Sequence, residues 1–257
     1  MVLVVGHRGA RNLWPENSLD GFRCTRDLGV DAVELDVHMA RDGGLVVIHD
    51  PTLERTTEGS GPVADRTTAE LAAIRLREGN GESVPTLDAV LDVFADAPVE
   101  LHIEIKTNVL GCPYAGLEAR LLEQIRRRGL GERVVLTCFV PEVLETVRRL
   151  DARQRLLASL DRRSAEMMDG LASALERFVA IDGCLVAVEK GLLAAGFDLC
   201  LQRLGSDRLG VWVVNEPDEI ATWTKKPIRQ ITTDRPDLAL RQRHVAHRTR
   251  ADRFYGE

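Results

Sequence analysis

The chain has 257 residues, 29% of them charged and 44% apolar, with a formal net charge of −6. That length suits one α/β barrel better than two ordinary domains, and such a chain can bury enough apolar surface to fold without disulfides or a structural metal. The negative balance excludes bulk attraction to nucleic acid, an anionic substrate would need local positive charge or a metal, and no apolar run approaches the ~20 residues of a membrane-spanning helix.

The predicted elements alternate along the chain. Val2-Leu3-Val4-Val5-Gly6 is the first strand. It lacks the basic flank and small-residue cleavage pattern of a signal peptide, so it is expected to be buried and the protein cytoplasmic. A helix follows near 17–28 and a strand at 32–37. Leu45-Val46-Val47-Ile48-His49 is strand-like but lies only Arg41-Asp42-Gly43-Gly44 beyond that strand. Asp-Gly-Gly is a hairpin signal, and a parallel neighbour would need a crossover of about a dozen residues, so this arm should return antiparallel. Residues 50–85 then form a long insertion rich in Gly, Thr and Glu, with one weak helix near 68–77. Long loops of this kind are often functional.

A helix over 86–95 starts at Thr86, with apolar positions at 87, 90, 91 and 94 on one face. Strands at 99–105, 133–138, 155–159, 184–188, 210–214 and 229–233 are separated by helices near 115–128, 142–150, 164–177, 190–203 and 217–224. Pro141-Glu142 and Pro217-Asp218 mark two helix starts. The Arg-rich stretch 241–257, with His244 and His247, reads as a solvated helix end or frayed terminus. Setting the hairpin arm aside, eight strands alternate with helices, which predicts parallel pairing in a single (β/α)8 TIM barrel over 1–257. The five cysteines, Cys24, Cys112, Cys138, Cys184 and Cys200, are scattered and lack CxxC spacing. They are expected to be free thiols in a reducing compartment, acting as small buried apolar residues.

Catalysis in a parallel barrel sits at the carboxyl ends of the strands. Those ends carry His7-Arg8, Glu34 with Asp36, His49-Asp50, Glu104 with Lys106, Trp212 with Asn215, and Thr233-Asp234. Residues two apart on a strand point to one side, so Glu34 and Asp36 share a face, as do Glu104 and Lys106. Three converging carboxylates would repel unless a divalent cation joined them, and oxygen-only ligands favour Mg²⁺ or Ca²⁺. Such a cation with Arg8 and Lys106 makes a positive pocket suited to phosphate, and two histidines can act as acid and base near neutral pH.

The ordered set His7-Arg8-Gly9, Pro15-Glu16-Asn17-Ser18, Glu34-Leu35-Asp36-Val37, Asp42-Gly43, Val46-Val47-Ile48-His49-Asp50, Arg55-Thr56-Thr57, Val84-Pro85-Thr86-Leu87, Glu104-Ile105-Lys106, Trp212-Val213-Val214-Asn215 and Thr233-Asp234-Arg235-Pro236 resembles the glycerophosphodiester phosphodiesterase family. The resemblance implies His7 and His49 as catalytic histidines and Arg8 as a phosphate contact. It implies Glu34, Asp36 and Glu104 as metal ligands, Lys106 as a phosphate or metal-site neighbour, and Trp212 as a pocket wall. The implied reaction is metal-dependent hydrolysis of a small phosphodiester such as glycerophosphocholine to glycerol 3-phosphate and an alcohol. Val213 stands where the family usually has Thr, and Thr137-Cys138-Phe139 where it has Ser-Phe.

Plainer readings stand beside these. His7 could be a rim residue, Glu34 and Asp36 could be paired by arginine, and Glu104 with Lys106 could be a buried ion pair. His38 is expected to support the site, His102 to pack inside the barrel, and Asn17 to cap a helix. Asp50 and Asp234 are read as orienting neighbours, Trp14 as loop packing and Trp223 as helix packing. Among other functions, a metal-dependent amidohydrolase is disfavoured because the chain has no His-x-His pair. A phosphodiesterase acting on lysophospholipid or another diester would use the same residues. A non-catalytic barrel that binds phosphate ligands is opposed by the intact His and carboxylate set.

Overall fold

The structure, a computed structural model, describes residues 1–243. Most of the predicted basic tail, including His244 and His247, lies outside the described residues. Among these, the strands are β1 (Leu3–Gly6), β2 (Ala32–Met39), β3 (Leu45–Val47), β4 (Glu100–Ile105), β5 (Val134–Cys138), β6 (Arg155–Leu160), β7 (Leu185–Glu189), β8 (Leu209–Trp212) and β9 (Gln230–Thr233). They run in the order β1-β9-β8-β7-β6-β5-β4-β2-β3, and β1 also pairs with β2. That last pairing closes eight parallel strands into a TIM barrel, as the alternation predicts. β3 stays outside the ring, antiparallel to β2 at Val37↔Val47. The Asp-Gly-Gly turn is too short for any other pairing.

The helices are α1 (Leu19–Asp27), α2 (Thr68–Ala72), α3 (Leu87–Val93), α4 (Leu117–Arg127), α5 (Pro141–Leu150), α6 (Arg162–Glu166), α7 (Leu171–Val179), α8 (Lys190–Leu204) and α9 (Pro217–Trp223). A last helical stretch begins at residue 236. Their apolar faces and the outward strand residues form one continuous core. Within it Phe22 and Phe94 meet edge to face at 6.0 Å, both fully buried. Truncating either to alanine would cost about 3–5 kcal/mol. No helix among the described residues is long and apolar enough to cross a membrane.

Three expectations need correction. The helix predicted over 164–177 is two helices, because Asp169 (φ 61°) and Gly170 (φ 102°) take left-handed backbone that ends α6 before α7 begins. The strand predicted over 210–214 stops at Trp212, where Val213 turns to φ 60°. The cysteines are all free, but only Cys138, Cys184 and Cys200 are buried; Cys112 lies exposed in the loop after β4.

The insertion has its own small core. Ile48, Leu53, Val63, Leu71, Leu76 and Val84 pack together beside the barrel. Thr67 and Glu70 form a reciprocal capping box that starts α2. Inside the ring, Gly210 is required by close approach, since a Cβ there would stand 2.7 Å from Gln230 Cγ.

Candidate active site

β1 ends in a tight turn, His7–Gly9, with Arg8 at φ 50° and Gly9 at φ 71°. A side chain at Gly9 would press on Phe22 at 3.0 Å. The turn throws His7 and Arg8 over the mouth of the barrel and lets the Arg8 amide donate to Glu34 Oε2 at 2.9 Å. On β2 the inward side carries Glu34, Asp36 and His38, and β4 sets Glu104 in register with Asp36. One ligand atom from each of Glu34, Asp36 and Glu104 lies within 4.8 Å of the others.

A cavity of about 210 Å³ opens above this cluster. His7, Arg8, Glu34, His49, Glu104 and Lys106 form one wall, and Phe139, Leu157, Ala187 and Trp212 form the other. Asp36 lies beneath the first wall and is 1% exposed. All eight residues expected at the site thus come together. Trp212 is fixed by Nε1 donating to the Ala187 carbonyl at 3.2 Å and by an edge-to-face contact with Phe139 at 5.7 Å.

The electrostatics are those of carboxylates taken out of water. Burial, with Asp36 and Glu104 adding repulsion, pushes the Glu34 carboxyl well above its ordinary range. Burial also opposes ionisation of Asp36, but Lys106, His49 and Arg8 outweigh it and hold Asp36 low. Lys106 Nζ reaches Glu104 Oε1 at 2.6 Å and Asp36 Oδ1 at 3.2 Å. Those two carboxylates overcome the cost of burying its ammonium and raise its pKa. Glu34 Oε1 is buried with no hydrogen-bond partner among the described residues. An orphaned buried carboxylate oxygen beside two more carboxylates fits a hard divalent cation, which Glu34, Asp36 and Glu104 would hold.

Each histidine rests its Nδ1 on a carboxylate. His7 Nδ1 lies 2.6 Å from Asp234 Oδ1, and His49 Nδ1 lies 2.6 Å from Asp50 Oδ1. Burial favours neutral Asp234, yet its bonds to His7 and Arg11 hold it down to about 2. Asp50 is also held at about 2, burial being outweighed by Arg55 and His49. Both partners are therefore acceptors, so each ring carries its proton on Nδ1 and turns Nε2 away from the pairing carboxylate. The His49 pKa is lowered, first by burial.

The surrounding residues refine the sequence reading. His38 does support the site: one ring nitrogen contacts the His49 carbonyl at 3.1 Å and the other Tyr114 Oη at 2.8 Å. His102 is buried in the barrel against Glu100 at 2.7 Å and also lines the cavity floor. Trp223 packs against Phe197 from its helix. Asn17 is not the helix cap; Ser18 is, accepting from the Gly21 amide. Asn17, at φ 54°, instead donates to Asp36 Oδ2 at 2.9 Å. Tyr114, Asn215, Glu16 and Arg55 had no role assigned from sequence. The last three sit inside quoted motifs, whereas Tyr114 gave no local signal.

Comparison with known proteins bears on this site. The model of the Glycerophosphoryl diester phosphodiesterase family matches residues 7–238. A glycerophosphodiester phosphodiesterase of Caldanaerobacter subterraneus subsp. tengcongensis is 39% identical over 153 residues, covering 58% of this chain and 62% of that protein. One from Bacillus subtilis is 30% identical over 199 residues, covering 69% of this chain and 66% of its own length. The matched stretches thus span somewhat under two thirds of these relatives. A solved structure from Agrobacterium tumefaciens, a candidate glycerophosphoryl diester phosphodiesterase, superposes with a TM-score of 0.85 at 28% identity, covering 97% of this chain and 99% of that one.

Proposed function

The chain belongs to the glycerophosphoryl diester phosphodiesterase family, and we propose that it hydrolyses glycerophosphodiesters, such as glycerophosphocholine, to glycerol 3-phosphate and an alcohol. The observation that carries this reading is the shared cavity: two carboxylate-held imidazoles face Arg8, Lys106 and a three-carboxylate cluster in about 210 Å³. In this reading the whole chain, 1–257, is one catalytic domain. The five unpaired cysteines support a cytoplasmic setting.

Arg8 and Lys106 would bind the phosphate, Arg8 by a planar fork and Lys106 as a point charge. One histidine would take a proton at Nε2 from the nucleophile, either water or the neighbouring glycerol hydroxyl, the latter route giving a cyclic phosphate that water then opens to glycerol 3-phosphate. The other, entering the step doubly protonated with Nδ1 still on its carboxylate, would give its second proton from Nε2 to the leaving alkoxide as the phosphorus–oxygen bond breaks. Trp212 and Phe139 would exclude water from the leaving-group side. A bound Mg²⁺ or Ca²⁺, held by Glu34, Asp36 and Glu104, would supply positive charge to offset the negative charge building on the phosphoryl oxygens.

Release of glycerol 3-phosphate from glycerophosphocholine, with and without chelator, tests the reading. Release that chelation stops and Mg²⁺ or Ca²⁺ restores is the expected result. No release by folded, cation-supplied protein overturns it. The Phe139–Trp212 wall favours one second reading, a lysophospholipid whose apolar part lies on that side. Faster turnover of a lysophospholipid than of glycerophosphocholine would select it.

A further inference from the structure

Arg55 belongs to the insertion, not the barrel, and stands outside the set of residues that face the cavity. Its guanidinium nevertheless joins two carboxylates at once. Nε donates to Asp50 Oδ2 at 2.6 Å and Nη2 to Asp50 Oδ1 at 3.0 Å. Nη2 also donates to Glu16 Oε1 at 2.7 Å, and Nη1 to Glu16 Oε2 at 2.9 Å. Two edges of one planar fork are thus each filled by a carboxylate. Beyond Asp50 lies His49 Nδ1 at 2.6 Å, and beyond Glu16 lies Arg8 Nη1 at 3.5 Å. An alternating chain of charge, His49–Asp50–Arg55–Glu16–Arg8, therefore closes over one side of the site.

We propose that Arg55 is a positioning residue that sets the His49 imidazole relative to Arg8, and that the insertion is built to present it. This rests on the phosphodiesterase reading above. Among the described residues the Asp50 carboxylate bonds only His49 and Arg55, so without the fork it would turn with the ring it is meant to hold. The loop around Arg55 is stiff. Leu53 and Thr57 on either side are fully buried, and the Thr57 amide and hydroxyl both donate to the Leu53 carbonyl, at 3.1 and 2.7 Å. The Arg77 amide ties Thr56 from the far strand of the loop at 2.9 Å. Leu53 in turn is part of the small core of the insertion, so that core fixes where the fork stands.

The Arg55 side chain is 45% exposed, and a single ion pair at such exposure adds little stability. Four charge-assisted bonds from one rigid fork instead specify geometry. A lysine keeps the charge but, as a compact ammonium, cannot fill both edges.

The test uses the full chain with Mg²⁺ and reads two quantities. The first is kcat on glycerophosphocholine. The second, independent of turnover, is exchange with water of the His49 Nδ1 proton, followed by ¹⁵N-edited NMR. Arg55→Lys should lower kcat by about 10- to 100-fold, the range seen for partners that orient site residues. It should also lose protection of that proton, with a melting midpoint within about 2 °C of the parent. Glu78→Ala, which removes an exposed charge from the same groove, should leave both unchanged. Retained kcat, a retained protected proton in Arg55→Lys, or equal losses in Glu78→Ala would each overturn the proposal. Loss of proton protection in a protein whose parent never turns over a phosphodiester would keep the clamp and sink the functional reading instead.

Discussion

His7 and Asp234, which follow the first and the last strands of the barrel, meet at 2.6 Å between Nδ1 and Oδ1. The parallel pairing of β1 with β9 brings them together across 227 positions of sequence. Asp234 is itself locked: Asn215 Nδ2 donates to its Oδ2 at 2.7 Å, its own amide donates to Asn215 Oδ1 at 2.9 Å, and Arg11 stands 2.9 Å away. Val213 in the left-handed region is unfavourable for a β-branched residue, and this turn lies between Trp212 in the cavity wall and Asn215 on Asp234.

Asp234→Asn should therefore damage turnover more than binding. An amide nitrogen at that position would donate to Nδ1 and leave the His7 proton on Nε2. We expect kcat to fall by about 100-fold or more, with KM little changed. Steady-state kinetics check this; a wild-type kcat would remove His7–Asp234 from the mechanism.

His49→Ala should abolish turnover while the protein stays folded. The ring is 29% exposed and lies at the site rim, so little core packing is lost with it. Circular dichroism melting and product release, measured on one preparation, separate the two effects. Unchanged turnover would exclude His49 as acid or base.

Lys106→Ala removes the cation that faces Glu104 and Asp36. Losing a charge-assisted contact to phosphate, worth about 1.5–3 kcal/mol, should raise KM by about 10- to 100-fold. The variant should also melt lower without added divalent cation and recover when the cation is supplied, because ligand binding to the native state alone stabilises it. Equal KM in variant and parent would deny Lys106 a phosphate contact.

Glu100 gives a pH-dependent stability at the opposite end of the barrel. It accepts from His102 at 2.7 Å, Arg155 at 2.6 Å and Arg229 at 3.1 Å. Burial opposes its charge, but these partners hold its pKa at about 2. A depressed carboxylate stabilises the fold above its ordinary range of about 4.3, and this contribution fades as pH falls toward the folded value. Glu100→Gln should thus lower the unfolding free energy near pH 7 by about 2 kcal/mol, after discounting for solvent at the barrel floor. In urea titrations the gap should shrink as pH falls below about 4. A gap of constant size would contradict the assignment.

Much of the architecture was legible because its causes are local. Alternating apolar residues in 32–37 and 99–105 put Glu34 with Asp36, and Glu104 with Lys106, on the inner side, and the pairings agree. The Asp-Gly-Gly turn predicted the antiparallel arm that carries His49. Element ends were less legible: Val213 adopts positive φ without a glycine to announce it, and at the break between α6 and α7 only Gly170, not Asp169, carries that signal.

By itself, then, the amino-acid order determined the alternation of strands and helices, the face each strand turns inward, and the residue types waiting at the carboxyl ends. Those follow from backbone periodicity and steric preference over a few residues. Only the tertiary structure decided who holds whom. His7 rests on Asp234, Asp36 on Asn17, and the His49 carbonyl on His38 beneath Tyr114. Such pairs depend on how the ring closes and where loops far apart in sequence are packed, and neither is written in the spacing of any one segment.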